Sequence, residues 1–172
     1  MDKVAVFEEW YRITYSRVVA SMIAAAGSTE LGRDAADEAF TRALERWDRV
    51  SDLENRDGWV YTVALNVIRR KERRRVLELR LLRRWYALDE RPPETLPIEV
   101  WDAVRALTPR QRQAVALRYL GALTEAQVGE AMGITAGAVA RLLHDARREL
   151  AGRLTPEEAI GSAADGRTTV DD

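Results

Sequence analysis

Three of the chain's five prolines fall within six residues, at Pro92, Pro93 and Pro97. Proline has no N–H to donate and its ring clashes with the preceding turn, so no helix runs through Arg91–Pro97. On either side of this break apolar residues recur three and four apart, as one face of a helix requires, and no stretch alternates as a half-buried strand does. The chain therefore reads as all-α: two small helical domains joined by a short linker, at residues 1–86 and 98–154 with 87–97 between them. Residues 155–172, with Gly161, Gly166 and five acids, have the composition of a disordered acidic tail.

Within the first domain, Phe7, Trp10, Tyr11, Val18, Val19 and Met22 mark a helix that Gly27-Ser28 ends. Asp34 is placed to cap a second helix with the stripe Ala36, Ala39, Phe40, Ala43, Leu44 and Trp47. After a polar loop at 51–56, Asp57 is placed to cap a third, with Val60, Val63, Ala64 and Val67 toward the core, running on into arginines. The second domain reads as four helices. Ile98–Leu107 comes first, then a helix opened by Thr108-Pro109 and stopped by Gly121. A third, opened by the capping-box sequence Thr124–Gln127, ends at Gly133, and a fourth follows the cap Thr135 to about Leu150.

Composition removes several function classes. With no Cys and a single His, the ligands of a disulfide framework, a thiolate nucleophile or a Cys/His zinc site are missing. No Gly-rich phosphate loop or nucleophile–base pair has usable spacing, so the reading is a non-enzyme without cofactor. No apolar run reaches the roughly 20 residues that span a bilayer, and acids at 2, 8 and 9 are unlike a secretory signal. The expectation is a cytoplasmic protein with no membrane partner. Net charge is −1, but Arg69–Arg84 carries nine basic residues against Glu72 and Glu78, so a cationic segment sits in an otherwise acid-leaning chain.

Two constellations carry the functional argument. Val128, Gly129, Met132, Gly133, Ile134, Val139 and Leu142 have helix-turn-helix spacing, which also suits an ordinary helical hairpin. On the third helix Trp59, Thr62, Asn66, Arg69, Arg70 and Arg73 fall within an arc of roughly 100°, opposite the valines. Arginines there suit phosphates, and a ring can stack on an unpaired base for about 1–3 kcal/mol; a solvated basic face has the same pattern.

Taken together, these parts resemble the extracytoplasmic-function group of bacterial sigma factors, over roughly Phe7 to Leu154. Asp34–Trp47 looks like that family's polymerase-binding helix, Asn55–Asn66 like its promoter-melting segment, and Leu107–Tyr119 with Gly137–Arg147 like its helix-turn-helix for the upstream element. The resemblance implies promoter-specific initiation with core RNA polymerase. Asp34, Asp37, Glu38, Arg42 and Trp47 would meet the clamp helices of the largest subunit, and the second domain would meet the flap. Asn55, Arg56, Trp59, Thr62, Asn66, Arg69, Arg70, Arg73 and Arg74 would hold and melt the minus-ten region, with a base flipped toward Asn55 at a cost of a few kcal/mol. Thr135, Ala136, Ala138, Ala140, Arg141, His144 and Arg148 would face the minus-35 element, His144 as a phosphate contact at most. An anti-sigma factor is a further implied partner.

The chain departs from that family in one place. Ala140, Leu142 and Asp145 stand where basic residues are usual, which predicts weak or unusual upstream recognition, because phosphate contacts dominate affinity. Arg69–Arg75 has no such defect. A connection of about 12 residues reaches roughly 40 Å, which limits domain spacing. Two other readings stay open: a helix-turn-helix regulator that binds an operator without core polymerase, and a degenerate sigma-like factor that acts by sequestering a protein.

Overall fold

The structure, a computed structural model, describes residues 3–82 and 97–154, with the backbone alone over 75–82. The linker expected at 87–97 (Pro97 excepted) and the tail at 155–172 lie outside the described residues. Those residues form helices α1 (Lys3–Ala26), α2 (Thr29–Glu45), α3 (Trp47–Val50) and α4 (Arg56–Leu82), then α5 (Ile98–Ala106), α6 (Pro109–Val115), α7 (Glu125–Met132) and α8 (Ala136–Ala151). A π-helical turn, Ala116–Leu120, prolongs α6. Among the described residues there is no strand, and no helix is long and apolar enough to cross a membrane.

Local chemistry sets most of the boundaries. Gly27 ends α1 with φ +63, a left-handed conformation that costs glycine little. Thr108, Thr124 and Thr135 each accept the backbone N–H three residues on, and Gln111 and Gln127 complete capping boxes. Two expected caps are corrected. Ser28, not Asp34, caps the second helix, which therefore starts at Thr29; Asp34 lies a turn and a half inside it. Asn55, not Asp57, accepts the N–H of Gly58 at 2.8 Å; Asp57 instead takes Trp10 Nε1 at 2.8 Å and Arg17 at 2.6 Å, so α1 holds the start of α4. Gly121 follows the α6 run not as a left-handed cap but because a side chain has no room there. Its φ is −75, and a Cβ there would lie 2.6 Å from the Leu117 carbonyl oxygen and 3.2 Å from the Tyr61 hydroxyl.

In the first half α2 lies against α1, and α4 crosses behind both. Phe7, Trp10, Phe40 and Trp47 form an aromatic cluster with ring centroids 5.1–5.8 Å apart. The α2 stripe holds for its alanines and Phe40, but Leu44 is 50% exposed. α4 buries Val60, Ala64 and Val67 as the spacing predicts, while Val63 is only half-buried. Its opposite face is buried as well, at Tyr61, Leu65 and Ile68, because the second half packs there: α7 lies on α4, and α6 with its π-turn lies on α1. A single apolar core runs from Phe7 to Leu143.

Candidate nucleic-acid interface

The row expected to meet DNA on α4 is largely in place. Asn66, Arg70, Arg73 and Arg74 are exposed, and Trp59 is half-buried, one side packed on the core. Asn55 and Trp59 therefore stand at the fixed end of α4, and the exposed arginines lie about three to four turns beyond Trp59. Thr62 donates its hydroxyl to the Gly58 carbonyl, which turns it into the helix, and Asn55 spends its Oδ1 on the cap. Arg56 stacks its guanidinium over the Trp47 ring at 5.9 Å. Arg69 sits apart from its neighbours. It is half-buried and turned toward the second half, donating to the Met132 carbonyl at 3.3 Å and to Gln113 Oε1 at 3.4 Å. Burial, then the nearby Arg110 and Arg73, lower its pKa against the pull of Glu72.

The residues expected to meet polymerase divide differently from the sequence expectation. Asp34, Asp37 and Glu38 lie on the outer side of α2, each with a partner: Lys71 at 2.8 Å from Asp34, the Tyr15 hydroxyl at 2.7 Å from Asp37, and both Arg42 and Arg70 on Glu38. The Tyr15 hydroxyl, bonded to that carboxylate and partly buried, is held well above its ordinary pKa. Trp47 is not on this surface; at 6% exposure it is a core residue of the aromatic cluster, which corrects its expected role. Leu44, on the same helix, is an apolar side chain left exposed.

In the second half α7, a turn at Gly133 with φ +67, and α8 form a helix-turn-helix. Thr135, Ala136, Ala138, Arg141, His144 and Arg148 are exposed along α8, and Ala140 is half-buried. Arg110, in the first turn of α6, is a residue that the sequence pattern missed. It lines an open notch of about 390 Å³ together with Ile134, Gly137, Ala138, Arg141, Leu142 and Asp145. The positive charge lacking on α8 itself is thus partly supplied from a neighbouring helix, which no periodicity within α8 signals. Among the described residues no three His, Asp or Glu side chains converge as a metal ion requires.

Comparison with known proteins places this arrangement. The family described as sigma-70, region 4, matches residues 98–150, which hold α5 to α8. The chain is 34% identical over 160 residues to the ECF RNA polymerase sigma factor BldN of Streptomyces coelicolor, covering 87% of this chain but only 57% of that relative's length. It is 26% identical over 171 residues to an RNA polymerase sigma-E factor of the same organism, with 89% and 90% covered. Among solved structures, the sigma factor RpoE of Bartonella quintana, crystallised with the anti-sigma factor NepR, superposes with a TM-score of 0.72 at 17% identity, over 84% of this chain and 93% of that one. Residues 98–150 thus match sigma-70 region 4, and over most of its length the chain is similar to the extracytoplasmic-function group of bacterial RNA polymerase sigma factors.

Proposed function

We propose that this chain directs promoter-specific initiation by core RNA polymerase, as a DNA-binding subunit with no catalytic chemistry of its own. The observation that carries this reading is the exposed row Asn66, Arg70 and Arg73 beside half-buried Trp59 on a helix backed by the core. Such a row holds phosphates along its length and offers a fixed ring to an unpaired base at its start. The division of labour follows from that placement, with residues 1–86 gripping polymerase and the minus-ten region and 98–154 the upstream element. Asp34, Asp37, Glu38 and Arg42 set register on the clamp helices, with Leu44 as apolar contact, and the second half meets the flap. On α8, Ala136 and Ala138 offer only apolar contacts to bases, and Arg141, Arg148, His144 and Arg110 meet phosphates. Upstream recognition is then weak in sequence terms and steep in salt.

Run-off transcription from genomic fragments with purified core enzyme tests the reading, with permanganate footprinting of the bubble. The expected result is initiation at discrete starts that depends on this chain, with opening lost in Trp59→Ala while binding to core persists. Failure to join core enzyme sinks it.

A further inference from the structure

The three acids on the outer side of α2 differ in what holds them. Asp34 and Glu38 meet cations of α4: Lys71 lies 2.8 Å from Asp34, and Arg70 lies 2.9 Å from Glu38, which Arg42 also contacts. Each of those carboxylates is already offset by a positive charge. Asp37 faces α1 instead. Its Oδ1 accepts the Tyr15 hydroxyl at 2.7 Å, and among the described residues no cation pairs with it. Asp37 is also exposed, so it presents an uncancelled charge at the surface.

Tyr15 itself is held in place. Its half-buried ring lies 4.7 Å from that of Tyr11 and 5.6 Å from that of Phe40, centroid to centroid, and Phe40 belongs to the core. Rings so packed have few rotamers left, and a carboxylate bonded to such a hydroxyl loses rotamer freedom too. The carboxylate and partial burial keep the phenol protonated well above the ordinary range, so the donor is neutral. It orients Asp37 without cancelling its charge, and Oδ2 is left for another donor. Leu44, half-exposed, lies seven residues further on; it shares that side of α2, about 10 Å along the axis.

We propose that Tyr15 is a positioning residue for polymerase docking: it aims the uncancelled Asp37 carboxylate at a guanidinium or ammonium group of the core enzyme, with Leu44 as the apolar contact beside it. The inference rests on the sigma reading above. A carboxylate fixed before the encounter has less freedom to lose on docking, which favours the complex. Asp34 and Glu38 contribute less, because a partner cation must compete with Lys71 and Arg70 for them. Tyr15 and Asp37 are 22 residues apart on different helices, so no local spacing in the sequence joins them.

A double-mutant cycle in equilibrium binding of the full chain to purified core enzyme tests this. Tyr15→Phe keeps the ring and removes only the hydroxyl. It is expected to weaken binding about three- to tenfold and to move the melting temperature by no more than about 2 °C. Asp37→Ala is expected to weaken binding at least as much, and in that background Tyr15→Phe should add nothing, since the group it positions is gone. Asp34→Ala, whose charge Lys71 already offsets, should weaken binding less than Asp37→Ala does.

An equal loss from Tyr15→Phe with and without Asp37 would put the hydroxyl on the polymerase itself and overturn the positioning role. Unchanged binding in Tyr15→Phe, when the parent chain joins core and initiates transcription, overturns it and leaves the sigma reading standing. Asp34→Ala costing more than Asp37→Ala rejects the choice of Asp37 as anchor. A large fall in melting temperature, with core binding and duplex binding lost alike, makes Tyr15 a plain structural residue and also overturns the role. A parent chain that does not join core sinks both readings.

Discussion

Glu72 lies half-buried on α4, in reach of Arg112 and Arg69, and burial raises its pKa more than those two cations lower it. The folded value is therefore above the unfolded one, so the neutral acid suits the fold better than the carboxylate. The stability tied to this group is complete below the unfolded value of about 4.5 and is lost as pH rises through the folded value. Glu72→Gln is accordingly expected to melt higher than the parent at pH 7, with the gain disappearing below about pH 4.5, in thermal unfolding followed by circular dichroism. A lower melting temperature at neutral pH would show that pairing with Arg112 outweighs desolvation. A second contrast lies on α2 and α3. Trp47→Ala removes a side chain packed on Phe7 and Trp10, and should cost about 3–5 kcal/mol in chemical denaturation. Leu44→Ala, at a half-exposed site, should change stability by no more than about 0.5 kcal/mol while weakening capture of core polymerase in a pull-down. Equal losses of stability would return Leu44 to the core, where its spacing alone puts it.

Among the elements, α4 depends most on a single cap, because its first turn carries Trp59 and Asn55 and its later turns carry the arginines. Asn55→Ala is expected to destabilise the chain by about 1 kcal/mol and to raise hydrogen exchange at Gly58 and Trp59 before anywhere else on the helix. Uniform exchange along α4 would mean that Asp57, tied to Trp10 and Arg17, holds the start without the cap. The contrast between these two residues shows what the sequence could and could not tell. Caps at Thr108, Thr124 and Thr135 were legible because donor and acceptor are three residues apart and each is followed by an apolar helical run. Asp57 looked like a cap on the same grounds, yet its carboxylate answers to partners 47 and 40 residues away, which no local pattern encodes. The core face of α4 was legible at Val60, Ala64 and Val67 from period alone. Tyr61, Leu65 and Ile68 were not, since a helix buried on two faces loses the polar side that periodicity reads, and the second cover comes from beyond the prolines. Arg110 escaped for a related reason: it lines the notch beside α8 from α6, and no period within α8 points to it.

For the molecule as a whole, the question is whether the two halves unfold as one unit or two. The apolar core is continuous from Phe7 to Leu143, and Arg112 and Arg69 bridge the halves with hydrogen bonds to backbone and side-chain oxygens. Enthalpy of unfolding scales with the size of the cooperative unit, at about 0.7 kcal/mol per residue near 60 °C. Residues 3–82 and 97–154 melting together should give a van't Hoff enthalpy of about 100 kcal/mol that matches the calorimetric value, whereas independent halves would each give about 40–55 kcal/mol. One transition is expected for the parent chain, because opening the interface would strip buried Tyr61 and Arg112 of their packing without unfolding either half. In Arg112→Ala the interface loses the bonds to Ala25 and Ala26, and the van't Hoff enthalpy should drop below the calorimetric one as the halves part company before they melt. A parent chain that already melts with half-sized enthalpies would show that the shared core does not couple the two halves.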